Sequence, residues 1–143
     1  VGLAAEVTPP TTIEDRVEVM RRRDAYDTDT TAFMLQWQAA DAAARDRILF
    51  ARQSLKALKA GNSVLRDEAE VCLALGSDGL RGELTLLKAA RAFAAWRDDT
   101  AITRRHVRAV AASCLRHRLR RDPLDEAGSG ARVARTVEEV LGG

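Results

Sequence analysis

The residues best suited to chemistry lie in the stretch GSDGLRGELT, residues 76–85, where Arg81 stands between two glycines at the predicted start of a helix. The N-terminus of a helix is its positive end, so an exposed cation there costs roughly 0.3–1 kcal/mol. Gly82 falls inside the first turn and costs about another 1 kcal/mol relative to alanine. A guanidinium group flanked by small residues suits bidentate binding of a phosphate or carboxylate. A surface arginine with incidental glycines is the alternative explanation.

The helix that carries Arg81 is predicted to run to about Trp96 and to be apolar on most sides. Its apolar residues form two stripes, Leu80, Leu84, Leu87 and Ala94 and then Leu86, Ala89, Ala90 and Phe93. The gap between the stripes holds Arg81, Thr85 and Lys88. A helix with two apolar stripes is expected to be central in a bundle.

Familiar catalytic motifs are missing from the sequence, which has no GxSxG, no HExxH and no GxxxxGK[ST]. Cys72 and Cys114 lack CxxC spacing and fall on apolar helix stripes, which predicts buried, reduced thiols. His106 and His117 lie about three helical turns apart, too far to share a metal ion. We therefore expect surface histidines, no metal site, and no catalysis by this chain alone.

A run of arginines, residues 104–121, contains seven arginines and no acid. Such a run could bind phosphate or an acidic protein surface, or it could be a solvated helix face. One function that the sequence leaves open is therefore an arginine-rich module that binds nucleic acid or another protein. Against nucleic acid, the run lacks aromatic, Asn and Gln residues for base contacts, and the net charge of the chain is only +2.

The elements that must position these residues are predicted to be mostly helical. Residues 1–7, VGLAAEV, alternate weakly and predict one short strand, which Pro9 and Pro10 end. Helices are predicted over residues 11–23, 30–37, 41–58, 63–76, 81–96, 103–121 and 131–141. The predicted fold class is all-α, a helical bundle preceded by one short N-terminal strand.

Local signals mark several of the helix ends and faces. Thr11 and Glu14 have the spacing of a capping box, and Thr103 is the predicted cap of the arginine-rich helix. Asp122-Pro123 is predicted to end that helix, and residues 128–130 to separate the last one. The predicted core face of the helix before Gly76 consists of Leu65, Ala69, Cys72 and Leu73.

Composition fits a soluble globular chain of 143 residues, with 46% hydrophobic and 31% charged residues. With 4% aromatic residues, the core must be built mainly from Leu, Val, Ile and Ala. No apolar run approaches the roughly 18–20 residues that a membrane span needs. Two cysteines and no signal peptide predict a cytoplasmic location. Because the chain begins at Val1 and not at Met, we expect it to be a fragment.

Two long segments, GSDGLRGELTLLKAARAFAAW and LRHRLRRDPLDEAGSGARVARTVEEVL, strongly resemble the C-terminal helical lid of the magnesium chelatase ATPase subunit. This family belongs to the AAA+ ATPases, and the bacteriochlorophyll and chlorophyll biosynthesis branch fits best. VGLAAEV, PPTTIEDRVEVMRRRDAYD and the pair Phe33 and Trp37 resemble the end of the AAA+ core and its link to the lid. The resemblance covers essentially the whole chain.

The resemblance assigns a role to the glycine-flanked arginine. In this family the corresponding lid arginine, sensor 2, contacts the γ-phosphate of ATP bound with Mg²⁺, so Arg81 is the expected catalytic and cofactor-binding residue. The family couples ATP hydrolysis to insertion of Mg²⁺ into protoporphyrin IX. The Walker A and B segments are absent here, so this chain alone is expected neither to bind ATP tightly nor to hydrolyse it.

The resemblance also implies an organisation and a set of partners. Residues 1–27 would be the end of the AAA+ core and a linker, and residues 28–143 the helical lid. The implied partners are the AAA+ core of the same subunit, further copies in a ring of six, and the metal-ion-binding and porphyrin-binding chelatase subunits. Neither nucleic acid nor a membrane is implied.

Overall fold

Six helices make up the described part of the chain, which in this computed structural model comprises residues 2–77, 79–119 and 128–142. They are α1 (Ile13–Thr28), α2 (Thr30–Ser54), α3 (Asn62–Ala74), α4 (Arg81–Trp96), α5 (Arg104–Leu115) and α6 (Gly128–Leu141). The prediction of an all-α fold is confirmed. The contacts divide the chain into two compact units, residues 6–49 and residues 1–5 with 50–143. The predicted boundary between residues 27 and 28 stays a prediction.

The predicted N-terminal strand is wrong for residues 2–7, which have no regular secondary structure. A strand needs a second strand to pair with, and the described ranges contain none. The N–H of Ala4 instead donates to the carbonyl of Ser113, at 2.8 Å. That carbonyl is one of the last four in α5, which have no partner inside their own helix.

The smaller unit, residues 6–49, contains α1 and most of α2. Thr12 caps α1 by accepting from the N–H of Asp15, at 3.2 Å, so the predicted cap at Thr11 is wrong by one residue. The predicted end of the first helix at residue 23 is also wrong, because α1 continues to Thr28 and only Asp29 separates it from α2. Asp29 Oδ1 accepts from the N–H of Ala32, at 2.9 Å, and caps the second helix.

The structure also joins two predicted helices into one, since α2 runs unbroken from Thr30 to Ser54. The residues at the predicted break, 38–40, read QAA. Gln and Ala favour helix, and neither Gly nor Pro interrupts the run.

Three aromatic rings of the smaller unit pack in a row. The ring centroids of Tyr26 and Phe33 are 5.7 Å apart, and those of Phe33 and Trp37 are 6.0 Å apart.

The larger unit is a bundle of α3, α4, α5 and α6. Helix α4 packs on α3 and α5, and α6 packs on α3 and α5. The largest fully buried apolar side chains are Leu86, Leu115, Leu141, Val71, Val107 and Val133. Burying each of them contributes roughly 1.5–3 kcal/mol. The buried small residues of this core, Ala90, Ala94 and Ala111, allow the helices to approach closely.

The predicted core face of α3 is only partly right. Leu65 and Leu73 are exposed, whereas Asp67 and Glu68 are buried. Asp67 can be buried because the guanidinium group of Arg104 donates to both its carboxylate oxygens, at 3.1 and 3.0 Å. A buried charge is tolerated when it is paired in this way. Hydrophobicity alone therefore identifies only part of the buried face of this helix, because Asp67 and Glu68 belong to it as well.

The last two helices differ from the prediction at their ends. Helix α5 begins after its predicted cap, Thr103, and ends at Leu115, before the predicted end at Arg121. The predicted break at Asp122-Pro123 lies outside the described residues. Helix α6 begins at Gly128 and so includes residues 128–130, which were predicted to be a separator.

Candidate functional site at the start of the fourth helix

Arg81 is the first residue of α4, and its side chain is exposed. The preceding residue, Leu80, occupies the N-cap position and has no side chain that could bond to the first-turn N–H groups. Within the described ranges, the guanidinium group of Arg81 has no hydrogen bond or ion pair. This helix end therefore presents a cation next to backbone donors, the arrangement that binds anions at helix N-termini.

The loop before Arg81 is shaped by glycine. Helix α3 ends in a Schellman motif, in which Ser77 N–H donates to Cys72 O and Gly76 N–H to Leu73 O, both at 3.0 Å. Gly76 and Gly79 have φ angles of +65° and +69°, which glycine adopts without strain. Apart from the chain neighbours of Gly79, no heavy atom of the described residues lies within 4 Å of the position that its Cβ would occupy. The Gly79 side of Arg81 is therefore open among the described residues.

Gly82 has a different role from the one that its position next to Arg81 suggests. It is buried, and a Cβ there would lie 2.5 Å from Ser77 Oγ. Leu115 Cδ2 and Cys72 Sγ would be 3.5 and 3.6 Å away. The close packing of α4 against the end of α3 and against α5 is thus sufficient to explain this glycine. The approach of a ligand is not needed.

A second arginine reaches the same face of α4. Arg118 NH2 donates to Thr85 Oγ1 at 3.3 Å, and its Nε donates to Cys114 O at 3.2 Å. Thr85 lies one helical turn after Arg81 and donates to the Arg81 carbonyl at 2.7 Å. In the sequence, Arg118 is one of the seven arginines of the run 104–121. The contact with Thr85 joins distant parts of the chain, and no local pattern signals it.

The prediction that α4 is enclosed on most sides is wrong near its start. Leu80 and Leu84, from the first predicted stripe, are 74% and 56% exposed. The buried positions are Leu86, Ala90, Ala94 and Ala95, with Gly82. Apolar side chains therefore surround Arg81 on the exposed side of the helix, which is typical of a contact surface.

The arginine-rich run is largely used inside the bundle. Arg104 pairs with Asp67, Arg108 pairs with Glu138 and donates to Leu141 O, and Arg116 donates to Ala112 O. Guanidinium groups engaged in this way are less available for nucleic acid. The structure thus favours a packing role for this part of the run.

The two cysteines are free and buried, as predicted. Burial raises the pKa of the Cys72 thiol to about 12 and that of Cys114 to about 11. At neutral pH both are thiols and therefore poor nucleophiles. No group of three His, Cys, Asp or Glu residues suited to a metal ion occurs in the part of the chain that the structure describes.

The prediction of surface histidines is wrong for His106, which is 2% exposed. Its Nδ1 accepts from the backbone N–H of Thr103 at 2.9 Å, and its Nε2 lies 2.8 Å from Asp99 Oδ2. The hydrogen bond from His106 lowers the pKa of Asp99. The spacing from Thr103 to His106 is that of a capping box, which is the signal that sequence reasoning missed. His117 is exposed, as predicted.

Comparison with known proteins places this helical bundle in a family. The model of the AAA lid domain matches residues 65–140, more than half of the chain. The chain therefore belongs to the AAA lid domain family, and the matched range includes Arg81 and all of α4 to α6 except the last residue.

The relatives extend the similarity over nearly the whole chain. It is 59% identical over 140 residues to the magnesium-chelatase 38 kDa subunit of Rhodobacter capsulatus, covering 98% of this chain and 40% of that protein. The corresponding subunit of Cereibacter sphaeroides is 61% identical, with 98% and 42% covered. The chloroplastic magnesium-chelatase subunit ChlI of Chlamydomonas reinhardtii is 35% identical over 127 residues, with 89% and 30% covered. The resemblance to magnesium chelatase is thus confirmed, and the chain spans about two fifths of the first two relatives.

No helix in the described residues is both long enough and apolar enough to cross a membrane.

Proposed function

We propose that this chain is the sensor-2 lid region of a magnesium chelatase ATPase subunit and that Arg81 contacts the γ-phosphate of ATP. The observation that carries the proposal is the exposed guanidinium group at the start of α4, without a partner among the described residues. The apolar residues Leu80 and Leu84 beside it would be covered by the AAA+ core when the lid closes.

The proposed mechanism uses the charge and the shape of the guanidinium group. Two parallel N–H donors can bind two oxygens of a phosphate, and the positive end of the helix dipole adds to the attraction. When the γ-phosphate leaves, Arg81 loses this partner and the lid can rotate relative to the core. ATP hydrolysis would thus change the angle between the lid and the core.

In the complete subunit, this lid would act with a AAA+ core that binds ATP and Mg²⁺. Rings of the subunit, six copies by analogy with the family, would drive a metal-ion-binding and a porphyrin-binding subunit. The reaction served would be insertion of Mg²⁺ into protoporphyrin IX in (bacterio)chlorophyll biosynthesis. The free, buried cysteines fit the cytoplasmic location that goes with this function.

The test is the ATPase rate of the full-length subunit with Arg81→Ala and Arg81→Lys. Arg66→Ala, which removes an exposed arginine of α3, is the matched control. We expect Arg81→Ala to lower kcat by about 100-fold, as for loss of a charged group that stabilises a transferring phosphoryl group. Arg81→Lys should recover only part of the rate because it cannot bind bidentately, and Arg66→Ala should match the parent. Parent-level turnover in folded Arg81→Ala would refute the assignment.

A mixing experiment separates the lid from the core. The AAA+ core, expressed separately, is combined with this chain or with its Arg81→Ala variant, and ATPase activity is measured. We expect turnover with the unaltered chain and little with the variant. Equal turnover with both chains would show that Arg81 does not take part.

A further inference from the structure

A cationic groove lies on the larger unit, farther along α4 than Arg81. It is lined by Leu55 and Lys56 after α2 and by Lys88, Arg91 and Ala92 of α4, and its volume is about 290 Å³. Three of the five lining residues carry a positive charge, and none is a carboxylate. We call it the Lys56–Lys88–Arg91 groove.

The donors of this groove are unsatisfied among the described residues. Arg91 Nε is buried and has no hydrogen-bond partner there. Lys56 and Lys88 are exposed and form no ion pair within the described ranges. Arg104 and Arg108 of α5 behave differently, since Arg104 bonds to a carboxylate of α3 and Arg108 to a carbonyl of α6. The groove therefore has exposed positive charge, from Lys56 and Lys88, that is available for a ligand.

One carboxylate, Glu68 of α3, interacts with the charge of Arg91. Glu68 is buried, and its Oε1 also has no hydrogen-bond partner in the described structure. The Glu68 carboxylate therefore does not accept a hydrogen bond from the Nε of Arg91. Burial raises the pKa of Glu68 to about 7, so near neutral pH it neutralises Arg91 only in part.

We propose that the Lys56–Lys88–Arg91 groove binds a multiply charged oxyanion of the phosphate class. A planar guanidinium group and two ammonium groups can surround such an anion, with Arg91 providing directed N–H donors and the lysines compact charges. Leu55 and Ala92 complete the lining of the groove.

The groove is separate from the position proposed for the γ-phosphate of ATP. Lys88 and Arg91 follow Arg81 by seven and ten residues, or about 10 and 15 Å along a helix axis. A single phosphate group cannot contact both Arg81 and Arg91 over that length. Binding in the groove and binding at Arg81 can therefore be tested independently.

The test titrates this chain with diphosphate and follows backbone amide chemical shifts, with sodium chloride of equal ionic strength as the reference. The variants are Lys88→Ala and Arg91→Ala, and the matched control is Lys59→Ala, an exposed lysine outside the groove. We expect each groove variant to weaken binding by about tenfold or more, with the parent Kd in Lys59→Ala. Equal Kd values in all variants, or equal shifts with chloride, would refute the proposal.

Two further experiments identify the source of the anion and provide a second variant in case the first one misfolds. If ATP, followed at the backbone amides of the groove residues, binds about tenfold more tightly than diphosphate, the groove takes the phosphates of a nucleotide, whereas similar affinity at these amides indicates free phosphate or diphosphate. If Arg91→Ala loses its helical circular dichroism, the double variant Lys56→Ala/Lys88→Ala replaces it. Unchanged affinity in that folded double variant would also refute the proposal.

Discussion

The Nε2 atom of the buried His106 lies 2.8 Å from Oδ2 of Asp99, and this contact joins the end of α4 to the start of α5. Because Nδ1 of the same ring accepts from the backbone N–H of Thr103, the proton of a neutral imidazole is on Nε2 and is donated to Asp99. The ring also packs edge-on against Phe93, with centroids 5.9 Å apart. His106 thus stabilises the turn between α4, which carries Arg81, and α5.

Replacing His106 tests this connection. We expect His106→Ala to lower the free energy of unfolding by about 2–4 kcal/mol, because it removes a cap and leaves a cavity. His106→Asn should lose less, since its amide oxygen can accept from Thr103 N–H. Chemical denaturation of the three proteins gives the values. An alanine variant as stable as the parent would show that the contacts of this ring contribute nothing measurable.

Glu68 makes stability depend on pH in an unusual direction. Burial raises the pKa of this carboxyl from an ordinary value of 4.5 to about 7. Between these values the folded protein binds more protons at Glu68 than the unfolded chain does, so its contribution to stability falls as pH rises from about 4.5 to 7. The fall should be about 3 kcal/mol at most.

The measurement compares parent and Glu68→Gln by urea denaturation at several pH values. The glutamine variant lacks the titrating group, so the difference in unfolding free energy between the two proteins should grow in its favour up to pH 7 and then stay constant. A constant difference from pH 4 to pH 8 would contradict the raised pKa.

Gly82 and Ser77 form a steric pair that a double-mutant cycle can measure. In Gly82→Ala, the new Cβ would meet Ser77 Oγ at 2.5 Å, which offsets the roughly 1 kcal/mol gain in helix propensity of alanine over glycine. Removing the hydroxyl with Ser77→Ala should restore that gain, giving a coupling energy of about 1 kcal/mol. Thermal denaturation of the four proteins gives the coupling, and strictly additive effects would exclude the contact.

Local signals in the sequence were sufficient for some features and not for others. The bounds of α4, from Arg81 to Trp96, and the burial of Cys72 and Cys114 followed from periodicity and from the residues at the helix ends. The buried face of α3 did not follow, because Asp67 is buried only through its pairing with Arg104, 37 residues later. The contact of Arg118 with Thr85 is equally long-range. Hydrophobic patterns cannot report a polar residue whose burial depends on a distant partner.

Asp98 occupies a backbone conformation suited to glycine. It directly precedes Asp99, the residue that contacts His106. Its φ is +59°, in the C′ position of a Schellman motif in which Asp99 N–H donates to Ala94 O and Asp98 N–H to Ala95 O. Its carboxylate also lies at the negative end of the α4 dipole. Asp98→Gly removes both costs and keeps the backbone bonds that place Asp99 beside His106.

We therefore expect Asp98→Gly to raise the free energy of unfolding by about 0.5–1 kcal/mol. Asp98→Ala is the matched control: it removes the same charge but keeps a Cβ at positive φ, so it should gain less than glycine. Thermal denaturation at equal protein concentration and pH compares the three. If Asp98→Ala stabilises the protein as much as Asp98→Gly, the charge and not the backbone conformation is the unfavourable feature. If neither variant stabilises it, Asp98 does not lower the stability of this helix end, and the prediction is wrong.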